Sequence, residues 1–215
     1  MTFHMTVSDY VDYLLAAGAE IEKNGDFITA LDAKTGDGDH WVNLNAGFLK
    51  LASIADELRA LPLPEMLKKV GMTLMSAIGG SSGVLYGSGY IAAAKALKDA
   101  EKLDAESLLT LLDAMLHAIM DRGKAQPGWK TMIDSLYEGV AAYRVALERG
   151  EDDKKALKAL KQGAHDGMER TRQMEAVKGR ASYQANKGVG ELDPGAVTMY
   201  LQLACLCDFI TAGKP

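Results

Sequence analysis

The sequence predicts an all-α chain of about eight helices packed as an antiparallel bundle. Three features carry that reading. Apolar residues recur at intervals of three and four along most of the length. No β-branched alternating run is flanked by hairpin turns. Short polar, glycine-rich connections separate the helical stretches, so successive helices lie side by side in opposite directions.

The first helix carries Val7, Tyr10, Val11, Leu14, Leu15 and Ile21, with Thr6 or Ser8 as its N-cap. Leu44, Phe48, Leu49, Leu51 and Ile54 form a second stripe that ends near Pro62. Pro64 suits the first position of the next helix, where no backbone N–H is needed, and that helix runs to about Ile78. Further helices are expected over Val84 to Leu97, over Leu103 to Met120 with Asp104 as cap, and over Met132 to Leu147, stopping at Gly150. A charged helix covers about Asp152 to Met174, and the last starts near Pro194 and ends at about Ile210. No repeat, low-complexity tract or linker interrupts the chain, so residues 1–215 are read as one domain.

At 48% hydrophobic and 25% charged residues, the composition is that of a soluble globular protein and excludes disorder. A formal net charge of -5, with no dense Lys/Arg run, argues against a nucleic-acid partner. Lys154, Lys155, Lys158 and Lys161 fall at helical spacing, as a solvated face would. Cys205 and Cys207 lie two positions apart on one helix and point to different sides. Neither a disulfide nor a zinc site is expected from them, and buried free thiols fit a reducing cytoplasm. No uncharged apolar run reaches the length of a membrane span, and Met1-Thr2-Phe3-His4 lacks the form of a signal peptide.

Glycine placement points to a site. Gly36 and Gly38; Gly79, Gly80 and Gly83; Gly123 and Gly128; and Gly188, Gly190 and Gly195 all fall between helices. Any one cluster reads more simply as helix caps and turns. In an antiparallel bundle, however, alternate connections share one end, so four polar loops can gather at a single rim.

The first of these segments holds Asp32, Asp37 and Asp39 within eight residues. Carboxylates this close stay ionised together only in solvent or beside a neutralising cation. Their hard oxygens suit Mg²⁺ or Ca²⁺, and the twelve-residue EF-hand loop with its closing Glu is missing. Magnesium keeps positions open for phosphate oxygens, so the cluster reads as a clamp for a Mg-nucleotide; a solvated Asp/Gly turn is the bland alternative.

Gly79-Gly80-Ser81-Ser82-Gly83 leads into a helix and offers N–H groups and hydroxyls to an anion. No lysine follows, so it is not a Walker A loop. It also fits G-x-S-x-G, with Ser81 as a hydrolase nucleophile, but that elbow needs a preceding strand and His165 with Asp113, Asp121 or Asp134 as partners. Gly87-Ser88-Gly89 matches a dinucleotide fingerprint only loosely, and close helix packing is the simpler reading. Arg180 reads either as a fork for phosphate oxygens or as a surface arginine. Asp193 before Pro194 reads as the N-cap of the last helix.

Together these segments resemble the nucleotide-binding L subunit of dihydroxyacetone kinase, the DAK2 (Dak phosphatase) family. The likeness lies in GDGDH (Gly36 to His40), SGxLYG (Ser82 to Gly87), RGKAxPGxKTM (Arg122 to Met132), KGRASY (Lys178 to Tyr183) and DPGA (Asp193 to Ala196), in order along nearly the whole chain. The resemblance implies that the helices close into an eight-helix barrel with a nucleotide, ADP or ATP, on the loops at one end. It implies two Mg²⁺ ions on Asp32, Asp37 and Asp39. It implies phosphate contacts from His40, Asn43, Ser81, Ser82 and the Gly83 turn, a base pocket at Gly123 and Met132, and a nucleotide contact from Thr131. Arg180 and Asp193-Pro194-Gly195 would close the site, with Arg180 and His40 nearest the chemistry.

The sequence departs from the family pattern at four positions. Trp41 stands where a glycine is usual, Trp129 where an aspartate is usual, Val84 replaces a proline and Ser81 an alanine. Both tryptophans therefore fall on site loops, with mutual packing, stacking on the base (which would add Trp41 to the nucleotide contacts) or a partner contact all open. The resemblance further implies a ketose-binding K subunit and a phosphohistidine carrier, the M subunit, that recharges ADP in place; it admits a homodimer. Dihydroxyacetone, a four-carbon ketose or a related polyol are all open as acceptor. Competing readings are a kinase subunit using free ATP, a non-catalytic nucleotide- or lipid-binding regulator, and the Ser81 hydrolase.

Overall fold

The computed structural model describes residues 2–213. Among the described residues ten α-helices follow one another: α1 (Val7–Lys23), α2 (Gly25–Thr35), α3 (His40–Ser53), α4 (Ala55–Arg59), α5 (Leu63–Ala77), α6 (Gly80–Ala96), α7 (Ala105–Gly123), α8 (Met132–Glu148), α9 (Asp153–Arg170) and α10 (Pro194–Ala212). Among the described residues the only β pairing is an isolated bridge between Met5 and Leu103. The α9–α10 connection holds two 3₁₀ turns, Thr171–Gln173 and Arg180–Tyr183.

Eight long helices close a ring. Its neighbours run α1–α3–α5–α6–α7–α8–α9–α10 and back to α1. The expected closed all-α bundle is therefore the observed architecture. Its interior is filled by side chains from all round the ring, including the fully buried Tyr10, Leu44, Met66, Tyr86 and Tyr143. Capping residues fix where helices begin. Thr6 and Asp9 form a capping box on α1, Asp104 caps α7, Thr131 caps α8 and Asp193 caps α10.

Two short helices escaped the sequence reading. α2 starts at Gly25 without a side-chain cap, and α4 has only five residues. Asp32 consequently lies on the last turn of α2, not on a loop. α6 begins at Gly80, four residues earlier than expected, so Ser81, Ser82 and Gly83 form its first turn.

Small residues let helix pairs approach closely. Gly71 on α5 and Gly87 on α6 lie backbone to backbone, which accounts for the Gly87-Ser88-Gly89 pattern. On α9, Gly163 and Gly167 pack on the α8 backbone at Glu138 and Asp134; a Cβ at Gly163 would sit 2.5 Å from the Glu138 carbonyl, and one at Gly167 would overlap the Asp134 carbonyl. α10 is long and apolar enough to cross a bilayer, yet 56% of that stretch is buried within the bundle, as for a core helix.

The ring sorts its connections. The α2–α3, α5–α6, α7–α8 and α9–α10 junctions share one end. The α6–α7 and α8–α9 junctions share the other, where Phe3 N donates to Asp153 at 3.0 Å and Met5 pairs with Leu103. Because the α8–α9 contact has no room for a methyl group, we expect Gly167→Ala to lower stability by about 1–3 kcal/mol, read as a lower urea midpoint. An unchanged midpoint would contradict the close approach.

Candidate functional site

The acidic turn between α2 and α3 is built by backbone geometry. Asp32 lies on the last turn of α2, Asp37 and Asp39 follow within the turn, and one carboxylate oxygen from each lies within 4.8 Å of the others. Gly38 has φ +78°, a left-handed conformation that glycine adopts without strain. At Gly36 a Cβ would stand 2.5 Å from Asp32 Oδ1, so a larger residue there would displace that carboxylate. Asp32 is buried and accepts a hydrogen bond from His40 N at 3.1 Å; Asp37 and Asp39 are exposed. Arg180 Nη2 lies 2.5 Å from Asp37 Oδ2. An oxygen-only donor set of three converging carboxylates fits a hard divalent cation.

Behind the turn lies a two-part cavity. The larger part, about 570 Å³, is apolar along Leu85, Ile119, Met132 and Ile133. The smaller part, about 280 Å³, is polar and contains the three carboxylates, Asn43, the Gly79–Ser82 turn and Arg180. The two share Asp32, His40, Ser81, Ser82, Lys178, Gly179, Asp193 and Pro194. The lining thus comes from all four junctions at this end of the ring.

Most residues singled out in the sequence meet here. Asp32, Asp37, Asp39, His40, Asn43, Ser81, Ser82, Arg180, Asp193 and Pro194 line the polar part, and Gly123, Thr131, Met132 and Gly195 line the larger part. Gly83 and Trp41 line neither. Gly83 is buried in the first turn of α6, against the Ile78 carbonyl. Trp41 follows His40 by one position, about 100° around α3, and so faces α2. A Cβ at Gly25 would lie 2.7 Å from the Trp41 ring, so that glycine makes the slot the ring fills. Stacking of Trp41 on a base is therefore corrected. Trp129 stands at the rim, with Lys178 Nζ 5.9 Å from its ring centroid.

Several lining residues went unread. Lys178 and Arg122 stand within recognised motifs, but the sequence reading gives them no role of their own. Lys130 is more informative. It is buried, with φ +61°, and its ammonium donates to the carbonyl oxygens of Glu191, at 2.5 Å, and of Thr171. It thereby pins both ends of the 171–193 connection to the α7–α8 junction. Val177 N adds a bond to Trp129 O at 3.3 Å, and Lys34 pairs with Glu191 at 3.2 Å.

Electrostatics at the site follow from desolvation. Burial lowers the His40 pKa, with Asp32 and Asp39 pulling the other way. Burial likewise lowers that of Lys130, with Asp193 and Glu191 opposing. The Asp193 carboxyl is pushed up to about 7 by burial, against the Ala196 N–H and Lys130.

No hydrolase triad is assembled. Helix α5, not a strand, precedes Ser81, and His165 lies edge-on to Tyr200 at 5.3 Å in a separate hollow with Lys154, Lys158 and Lys161. Cys205 and Cys207 are free, and burial pushes their thiols up to about 11 and about 12.

Asp193 gives a pH prediction. An unfolded carboxyl ionises near about 3.9, whereas the folded one holds its proton to about 7. Rising pH therefore favours the unfolded chain over that interval and no further above it. We expect Asp193→Asn, which keeps a capping oxygen, to gain melting temperature relative to wild type as pH rises from about 4 to 7. A difference that does not vary with pH would mean the carboxyl is not desolvated.

A family model described as the DAK2 domain matches residues 34–208. The chain is 34% identical over 196 residues to "PEP-dependent dihydroxyacetone kinase, ADP-binding subunit DhaL" of Escherichia coli (strain K12), covering 91% of this chain and 93% of that one. It is 35% identical over 192 residues to "PTS-dependent dihydroxyacetone kinase, ADP-binding subunit DhaL" of Lactococcus lactis subsp. lactis (strain IL1403), covering 89% and 91%. The solved dihydroxyacetone kinase of C. freundii, in complex with AMP-PNP and Mg²⁺, superposes with a TM-score of 0.71 at 27% identity. That match covers 92% of this chain and 33% of the longer one.

Proposed function

The chain belongs to the DAK2-domain family, and from that membership we infer that it is the nucleotide-binding phosphotransferase subunit of a dihydroxyacetone-type ketose kinase. One observation carries the reading. A cavity with an apolar end and a polar end has three carboxylates converging within 4.8 Å at the polar end. An adenine nucleotide with magnesium has the same division into flat base and charged polyphosphate.

In this assignment Asp32, Asp37 and Asp39 hold two Mg²⁺ ions. Bound magnesium would neutralise the phosphate charge and align the transferred group. Helices α3, α6 and α10 turn their N-terminal ends to the polar part, where free N–H groups favour an anion. Ser81 and Ser82 add hydroxyl donors, and His40 and Asn43 contribute from the first turn of α3. Leu85, Ile119 and Met132 enclose the base, beside Gly123 and Thr131. Arg180 brings a charge-assisted donor to the mouth, and Asp193, Pro194 and Gly195 form the opposite wall. The chain supplies positioning and charge stabilisation, with no covalent step of its own.

The remaining parts of the reaction belong to partners. The ketose sits on a K subunit, which carries the acceptor-activating base. The PEP- and PTS-dependent relatives support a coenzyme mode, in which ADP stays bound and a phosphohistidine carrier, the M subunit, recharges it. The setting is the cytoplasm. Trp41 lies against Gly25 and lines neither part of the cavity.

Native mass spectrometry of the purified chain should show ADP with two magnesium ions; nucleotide lost on desalting would favour exchange with free ATP. Asp37→Asn should lose the rise in melting temperature that Mg-ADP gives the wild type, a rise that reaches about 2.7 kcal/mol of stabilisation at a hundredfold excess over the dissociation constant. A wild-type shift in that variant would refute the metal assignment. Arg180→Ala should melt like the wild type without ligand and bind Mg-ADP about tenfold or more weakly, as expected for a lost charge-assisted hydrogen bond. An unfolded variant would make Arg180 structural instead.

A further inference from the structure

We propose that Thr198 is a positioning residue whose hydroxyl fixes the tautomer and direction of the His40 ring and ties that ring to the segment that opens α10. The inference rests on the nucleotide reading above and adds a buried element to it.

His40 Nε2 lies 3.0 Å from Thr198 Oγ1, and the same hydroxyl donates to the Gly195 carbonyl at 3.1 Å. Thr198 is fully buried. A threonine bonding back to a carbonyl three residues earlier is ordinary in a helix. Here the hydroxyl also meets side chains from two other helices, His40 on α3 and Tyr86 on α6. Below it, the Gln202 amide donates to the Tyr86 hydroxyl at 2.8 Å and to the Thr198 carbonyl at 2.9 Å. The Tyr13 hydroxyl donates to the Gln202 carbonyl at 3.4 Å. A polar seam therefore descends from the site through an otherwise apolar core, with each member partnered. Such networks hold their members in one arrangement.

The proton count sets the tautomer. A hydroxyl has one hydrogen to give. The Gly195 carbonyl can only accept, so for both bonds to form together the hydroxyl hydrogen goes to Gly195 and the hydroxyl accepts from His40. The neutral ring then carries its hydrogen on Nε2 and keeps Nδ1 as its lone-pair nitrogen. His40 lines both parts of the cavity and Gly195 lines the larger one. One buried hydroxyl thus links the phosphate side to the wall of the base pocket.

Two readouts test this on the whole chain. Nitrogen-15 NMR of the His40 ring at pH 8, without nucleotide and assigned by loss of the signal in His40→Gln, should show a single Nε2–H tautomer in wild type. Thr198→Val should give a mixed population and bind Mg-ADP about tenfold more weakly, and Thr198→Ser should restore both. Should Thr198→Val not fold, Tyr86→Phe, which removes one partner of the hydroxyl, should broaden or shift the His40 ring signals. A wild-type ring in the Nδ1–H form overturns the proposal. So do unchanged ring signals and affinity in Thr198→Val, a Thr198→Ser as impaired as Thr198→Val, or, where Thr198→Val does not fold, unchanged ring signals in Tyr86→Phe. The NMR arm needs no ligand; a wild-type chain that fails to bind Mg-ADP would sink the nucleotide reading and leave the ring result standing.

Discussion

Three carboxylates within 4.8 Å of one another repel, and the rim of this ring is organised around holding them there. The restraint comes from the backbone. Asp32 is fixed by the last turn of α2 and by the His40 N–H, and the Gly36–Gly38 turn brings Asp37 and Asp39 round to meet it. Opposite them, Arg180 reaches Asp37 from the 3₁₀ turn Arg180–Tyr183. That turn lies in a 23-residue connection between Arg170 and Pro194 that has two short 3₁₀ turns but no α-helix to hold it. Lys130 substitutes for such a helix. A single buried ammonium bonded to the Thr171 and Glu191 carbonyls spans the connection at its base, so the acidic turn, its cation and the opposite wall keep one spacing.

Much of this was legible in the sequence, because caps and glycines are local signals. Thr6, Asp104, Thr131 and Asp193 each stand at a helix start, and three of them were read as such or as candidates from the sequence alone. The four glycine clusters did mark one end of the bundle, because alternation of direction is a property of the whole ring and not of any one loop. The carboxylates needed only their spacing to be noticed.

The rest was hidden for physical reasons. α2 begins without a side-chain cap and has little amphipathic contrast, so nothing in its sequence announces a helix, and Asp32 reads as a loop residue. Trp41 occupied a site-loop position, but its direction depends on the slot left by Gly25, sixteen residues away in the chain. Lys130 looks like any surface lysine until the fold buries it among carbonyls. Thr198, Gln202 and Tyr86 come from two helices, α10 and α6, whose sequences show only apolar runs with polar interruptions. Their meaning is set by tertiary contact, which no periodicity encodes.

The ring also decides how the molecule can be handled. α10 starts at the rim of the cavity and, at 19 residues, carries the chain about 28 Å away from it. Phe3 and Met5 are stitched to Asp153 and Leu103 on that same far side. Both described ends therefore emerge on the face remote from the mouth. A dye, an affinity matrix or a sensor chip coupled there would leave the opening turned toward solution, free to receive a docking protein.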